Sequence, residues 1–170
     1  MYKLRLMNEG LDLAFITDVR QDPEVQENLG TFLLTNTQKQ YEWYESIKND
    51  SSKKYLIFED EKSKYGYVRL TNIDYINRSI CVGGDIAQAH REHGLSTPLY
   101  DQILSLCFNK MNMNRVYLFV LESNARAIHI YKKRGFTEEG RQRQAIYRDG
   151  KYLDYIMMSL LKEEYSEKEL

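Results

Sequence analysis

Apolar and polar residues alternate over positions 2–7, where Leu4 and Leu6 stand between polar neighbours, the period-two pattern of a strand. Leu13, Phe15, Ile16 and Val19 then share one helical stripe. Asp22-Pro23 stops it, a pair suited to an N-cap followed by proline at the first helical position. Another helix is expected to open at Thr37, because Thr37 and Gln40 have capping-box spacing. Tyr41, Tyr44 and Ile47 form its expected apolar face with Trp43 beside them, and Asn49-Asp50-Ser51-Ser52 ends it as a polar loop. Positions 54–59, 65–73 and 78–86 predict three strands joined by short polar turns, an antiparallel meander. Gly83-Gly84 interrupts the third. Paired glycines weaken a strand and mark a bulge or a place where a ligand nears the backbone.

After Ile86 the pattern changes. A loop over 87–94 leads to a helix with Leu99, Ile103, Leu106 and Cys107 on one face. Pro98 is tolerated only in its first turn, which sets the start within 95–97. Positions 115–121 read as a buried strand. Ser123 or Asn124 caps a helix bearing Ala127, Ile130 and Tyr131, and Gly135 ends it. The stretches 141–147 and 152–160 flank Asp149-Gly150 as a hairpin with a type I′ turn signal. The charged tail after Leu161 reads as a solvated end. With no internal repeat and no linker, positions 1–170 predict one α/β domain around a mostly antiparallel sheet.

Composition narrows the function. The 24 Lys and Arg against 25 Asp and Glu leave a formal charge of -1, without the basic surplus a nucleic-acid binder needs to neutralise phosphates. Cys81 and Cys107 have neither metal-ligand nor disulfide-framework spacing and read as buried thiols, so no metal is expected. No apolar run reaches membrane length. The expectation is a soluble cytoplasmic protein with no nucleic-acid or membrane partner.

The most informative segment is the loop entering the helix near 95. Arg91-Glu92-His93-Gly94-Leu95-Ser96-Thr97 places a glycine and small residues where helix N–H groups are free, a setting that binds phosphate. Downstream stands Asn124-Ala125-Arg126-Ala127-Ile128-His129-Ile130-Tyr131-Lys132-Lys133-Arg134-Gly135-Phe136. Together the two runs resemble the signatures of the GNAT superfamily of acetyl-CoA-dependent N-acetyltransferases. Arg91 and Gly94 fit the pyrophosphate loop, while Ser96 replaces its last small residue.

The resemblance implies a twisted sheet of about seven strands flanked by about four helices. It also implies a fourth strand splayed from the fifth, with the pantetheine arm of acetyl-CoA in the gap. Ile86 and Ala87 are then the pairing residues and 91–97 the pyrophosphate loop. Asn124 becomes a cofactor contact or helix cap, and Tyr131 the phenol that protonates the departing thiolate. Core packing is the alternative for Tyr131. Where many relatives carry a basic carboxylate, Ile80-Cys81-Val82 has none. Asp85, Glu122, Asp154 or a water chain are the substitutes. Direct transfer in a ternary complex is expected, because nothing in the sequence activates Cys81.

Three acceptors compete. Arg20-Gln21-Asp22-Pro23 and Ser51-Ser52-Lys53-Lys54-Tyr55 resemble amino-sugar-nucleotide acetyltransferases. The run 127–136 and the closing hairpin resemble polyamine acetyltransferases, and ribosomal-protein N-terminal acetyltransferases share the layout. The expectation favours an amino-sugar nucleotide bound by Tyr41, Trp43 and Tyr44. A CoA-binding module without catalysis is the other class, against which Tyr131 argues. The resemblance also allows a homodimer through edge strands.

Overall fold

The computed structural model describes residues 1–29 and 35–166, apart from the side chains of Thr37 and Ser166. Seven strands form one sheet: β1 (Lys3–Leu6), β2 (Lys54–Glu59), β3 (Lys64–Asp74), β4 (Ser79–Ile86), β5 (Arg115–Leu121), β6 (Thr137–Arg148) and β7 (Lys151–Leu161). Their order is β1-β2-β3-β4-β5-β7-β6. Every neighbouring pair is antiparallel except β4 and β5. The helices are α1 (Glu9–Gln21), α2 (Pro23–Asn28), α3 (Thr37–Ile47), α4 (Ser96–Ser105), α5 (Ala125–Arg134) and α6 (Lys162–Ser166).

Strict alternation along the strands builds a core on each side of the sheet. Leu56 and Phe58 of β2, Val68 and Leu70 of β3 and Val82 of β4 turn toward Leu99 and Ile103 of α4. Ile57 and Tyr67 turn the other way, onto Ile16 and Val19 of α1 and Val25 of α2. The central strands are therefore apolar on both faces.

Most helix ends follow the sequence. Asp22 caps α2 by accepting from the Val25 amide at 3.1 Å, with Pro23 at the first helical position. Asn124 rather than Ser123 caps α5, accepting from Ala127 at 3.0 Å, and Gly135 ends it at φ 95°. Asp149 and Gly150 both have positive φ, as a type I′ turn requires.

Four expectations need correction. Asn36, not Thr37, supplies the α3 cap through Oδ1 to the Lys39 amide at 2.9 Å. The buried face of α3 runs through Gln40, Trp43 and Ile47, leaving Tyr41 exposed, because the helix packs one residue round from the expected stripe. The tail is not simply solvated: Lys162–Ser166 is helical, and Tyr165 stacks on Phe108 with ring centroids 4.9 Å apart. Six helices thus replace the expected four among the described residues, and α4 runs on into a π-helical turn at Leu106–Lys110.

A buried carboxylate ties β1 to α1. Asp12 is fully buried and takes Arg5 Nη1 at 2.6 Å, Arg5 Nη2 at 2.9 Å, Lys64 Nζ at 2.7 Å and the Asn8 amide at 2.8 Å. Burial alone would favour its neutral form, but these donors outweigh burial and hold the carboxyl well below its ordinary range. Asp12→Asn is expected to destabilise the fold by about 2–3 kcal/mol in chemical denaturation. That lies near or below the usual loss for a broken buried pair, because water reaches both cations. A group with a depressed folded pKa stabilises above its unfolded value, near pH ~4, and less as pH falls through the folded one. The native protein's advantage over the variant should therefore shrink below about pH 4 and persist at neutral pH.

Candidate active site

The parallel ladder between β4 and β5 covers only Ser79↔Arg115, Ile80↔Val116 and Cys81↔Tyr117. Beyond it the strands diverge and leave a gap through the sheet. The Ala87 amide donates to the Tyr65 carbonyl at 2.9 Å. Alternate residues of an antiparallel strand face the same neighbour, so positions 83, 85 and 87 turn their backbone groups to β3. Gly84 and Ile86 turn theirs toward the gap. Of the two expected pairing residues, Ile86 presents its edge there and Ala87 does not.

Gly83-Gly84 forms no bulge, since the β3–β4 register shifts only between Thr71 and Asp74. The glycines make room for side chains instead. A Cβ on Gly83 would stand 2.7 Å from Arg69 Nη2, and one on Gly84 3.0 Å from Leu99 Cδ2. Through Nη1, the Arg69 guanidinium bonds the Tyr67 hydroxyl at 2.6 Å and pairs with Asp85.

Two cavities meet at the gap. One lies on the α4 side against Ile86, Arg91, Ser96 and Tyr100. The other lies on the opposite face against Arg69, Thr71, Cys81, Phe119 and Tyr155. Gly84, Asp85, Asn124 and Tyr131 line both, so the cleft passes through the sheet.

The loop before α4 departs from expectation at Arg91. Its Nη2 meets Asp22 at 2.7 Å, Nη1 meets Glu24 at 2.8 Å, and Nε donates to the Ile86 carbonyl at 3.2 Å. The Arg91 side chain is 13% exposed and fully engaged, so it braces α2 against the loop rather than offering a free cation. Burial works against the Asp22 anion, yet the Arg91 bond holds that carboxyl low. Glu92 is exposed at φ 66°, and His93 Nδ1 lies 2.6 Å from the Arg91 carbonyl oxygen. Gly94 sits at φ 72° with open space where a Cβ would be, so its backbone conformation rather than crowding calls for glycine. Leu95 is buried in the core; Thr97 is exposed, its amide 3.3 Å from the Gly94 carbonyl. No side chain caps the start of α4, leaving N–H groups there for an anion.

Tyr131 lies half-buried at the gap. The buried Tyr100 of α4 donates from Oη to Tyr131 Oη at 3.0 Å, and the rings meet edge to face at 5.2 Å. Burial pushes both phenols above their ordinary value. Burial likewise raises the Cys81 thiol, which disfavours a nucleophilic thiolate.

Of the alternative carboxylates, only Asp85 faces the cleft. Glu122 accepts from the Asp154 amide at 3.0 Å and Asp154 from the Gln144 amide at 2.8 Å, both near the closing hairpin. Tyr41, Trp43 and Tyr44 line neither cavity. Trp43 packs edge-on to Tyr55 at 4.9 Å with the Arg20 guanidinium 4.4 Å from its ring centre. Residue patterning missed Arg69 and Tyr100. The one signal for Tyr100 was a phenol on a buried helix face, which must find a partner. Among the described residues, no His, Cys, Asp and Glu cluster could hold a metal, and no helix is long and apolar enough to cross a membrane.

The family model described as the acetyltransferase (GNAT) domain matches residues 3–137. The spermidine N(1)-acetyltransferase of Vibrio cholerae serotype O1 is 29% identical over 95% of this chain and 94% of that protein. A putative ribosomal N-acetyltransferase of Bacillus subtilis is 26% identical over 85% of this chain and 90% of its own. The crystal structure of Vibrio cholerae spermidine N-acetyltransferase in complex with CoA and spermine superposes with a TM-score of 0.91 at 28% identity, covering 97% of this chain and 98% of that one.

Gly83→Ala tests the packing at the gap. The new methyl would stand 2.7 Å from Arg69 Nη2, the far end of a flexible side chain, so the guanidinium should move from its place beside Asp85 at a cost below about 1 kcal/mol in stability. A crystal structure and a denaturation curve check this; an unmoved Arg69 with unchanged stability would contradict it.

Proposed function

This chain belongs to the GNAT family of acetyl-CoA-dependent N-acetyltransferases, and we propose that the amine it acetylates is a polyamine of the spermidine class. The observation that carries this reading is likeness along almost the whole chain to an enzyme whose structure holds CoA and spermine. It replaces the amino-sugar nucleotide expected from 20–23 and 51–55, two stretches too short to outweigh a full-length match. Chemistry at the cleft supports it. Asp85 lines both cavities, and the rings of Phe119 and Tyr155, 6.1 Å apart, line the one opposite α4. Carboxylates and ring faces both attract an ammonium group. The acceptor role expected of Tyr41, Trp43 and Tyr44 passes to these residues.

The gap suits acetyl-CoA, which supplies an acetyl group activated as a thioester. The backbone edge at Gly84, with the Ile86 amide, would bind the pantetheine amides. The uncapped start of α4, with Gly94, Leu95, Ser96 and Thr97, would take the pyrophosphate, while Arg91 braces that loop through Asp22 and Glu24. Asn124 serves as the cap of α5, which carries Tyr131 into the gap. The amine enters from the face holding Arg69 and Tyr155 and attacks the carbonyl directly. A backbone N–H facing the gap stabilises the oxyanion. Tyr131 gives its proton to the departing sulfur. The Asp85 carboxylate is engaged by Arg69, so a water chain carries off the amine's proton. The two free thiols accord with a cytoplasmic setting.

One observation favours a second acceptor class. Arg69 uses only Nη1 among the described residues, leaving donors turned to the acceptor cavity. A fixed cation there suits an amine that also bears phosphate or carboxylate.

A side-by-side assay with spermidine, spermine, a ribosomal N-terminal peptide and UDP- or dTDP-linked amino sugars decides between them. Spermidine or spermine should be acetylated with the highest kcat/KM. Turnover of the sugars alone would move the assignment to the anionic class while leaving the acetyltransferase in place. Separately, Tyr131→Phe should lower kcat by about 10²–10⁴-fold with little change in acetyl-CoA affinity; unchanged turnover would reduce Tyr131 to packing.

A further inference from the structure

We infer that Tyr100 is a positioning residue for the transfer step, donating its hydroxyl proton to Tyr131 Oη so that the Tyr131 proton is left to point at the leaving sulfur. The inference rests on the thiolate-protonating role proposed for Tyr131.

The geometry is specific. Tyr100 stands in α4, on the turn after the pyrophosphate loop, and is 3% exposed. Its Oη bonds Tyr131 Oη at 3.0 Å, and among the described residues it has no other hydrogen-bond partner. Its ring is wedged between the α4 core and Tyr131, with the ring planes at 74°. A phenol has one proton and two lone pairs. With Tyr100 as donor, one Tyr131 lone pair is filled and the Tyr131 proton must turn elsewhere, into the cleft it lines.

The chemistry makes this arrangement useful. As the carbonyl re-forms, the carbon–sulfur bond breaks and its electron pair leaves on sulfur. The sulfur takes the proton of Tyr131, whose oxygen becomes a phenolate until water returns a proton. In a half-buried site that phenolate is costly without a donor. The Tyr100 hydroxyl is already aimed at it and needs no rearrangement when the charge appears, the condition under which a fixed donor lowers a barrier most. Burial raises the Tyr131 phenol, and the Tyr100 bond opposes that rise.

The test is a double-mutant cycle in kcat, with acetyl-CoA affinity measured in parallel. Tyr100→Phe keeps the ring and removes the donor. It should lower kcat by about 10- to 100-fold, the worth of one hydrogen bond to a charged oxygen, while acetyl-CoA affinity and acceptor KM stay within about twofold. In a Tyr131→Phe background the same substitution should cost nothing further, because the oxygen it serves is gone. If Tyr100→Phe does not fold, Tyr100→Met fills the same pocket without a donor and gives the same reading. A normal kcat for Tyr100→Phe beside a slow Tyr131→Phe overturns the role of Tyr100 alone. Additive losses also overturn it, by showing that Tyr100 acts through packing. A normal kcat for Tyr131→Phe overturns the underlying reading as well, and so separates the two failures.

Discussion

Everything at the site depends on one break in a ladder. β4 and β5 pair for three residues and then part, although both strands continue. Backbone N–H and C=O groups cannot be left dry and unpaired without cost; Arg91 meets the Ile86 carbonyl, and the Gly84 edge and the Ile86 amide are left for water or a ligand with amides of its own. A pantetheine arm has such amides. The same break lets Tyr131 reach between the strands and joins a cavity on the α4 side to one on the other face. The cleft is thus open on both sides of the sheet.

A gap in a sheet would collapse unless its walls were held apart, and here arginines hold them. Arg91 ties the loop before α4 to Asp22 and Glu24 at the start of α2. Arg148 donates to the carbonyls of Glu27 and Leu29, pinning the closing hairpin to the end of the same helix. Arg69 pairs with Asp85 within β3 and β4. The contacts to Asp22, Leu29 and Asp85 are partly buried and hydrogen-bonded, so they act as struts with defined geometry rather than as surface pairs of little worth. They also explain how a chain of nearly balanced charge can present a cleft whose local charge differs from its average. In that cleft stand the paired Arg69 and Asp85, with Glu24 on its α4 side.

The sequence alone determined the order of elements and the sites where chain geometry is local. Period-two alternation located the strands, because half-buried and buried sheet positions must be apolar. Asp22-Pro23, Ser123-Asn124, Gly135 and Asp149-Gly150 marked ends and turns, because caps and positive φ are settled within a few residues. The runs 91–97 and 124–136 carried the family for the same reason: loop and helix start are contiguous in the chain. Tertiary structure decided the rest. Arg91 became a brace because residues some seventy positions earlier came to face it. Gly83 became room for Arg69, and Trp43 became a packing residue beside Tyr55. Tyr100 met Tyr131 across 31 positions. Such meetings are fixed by how helices lie on a sheet, and no spacing along a single chain encodes them.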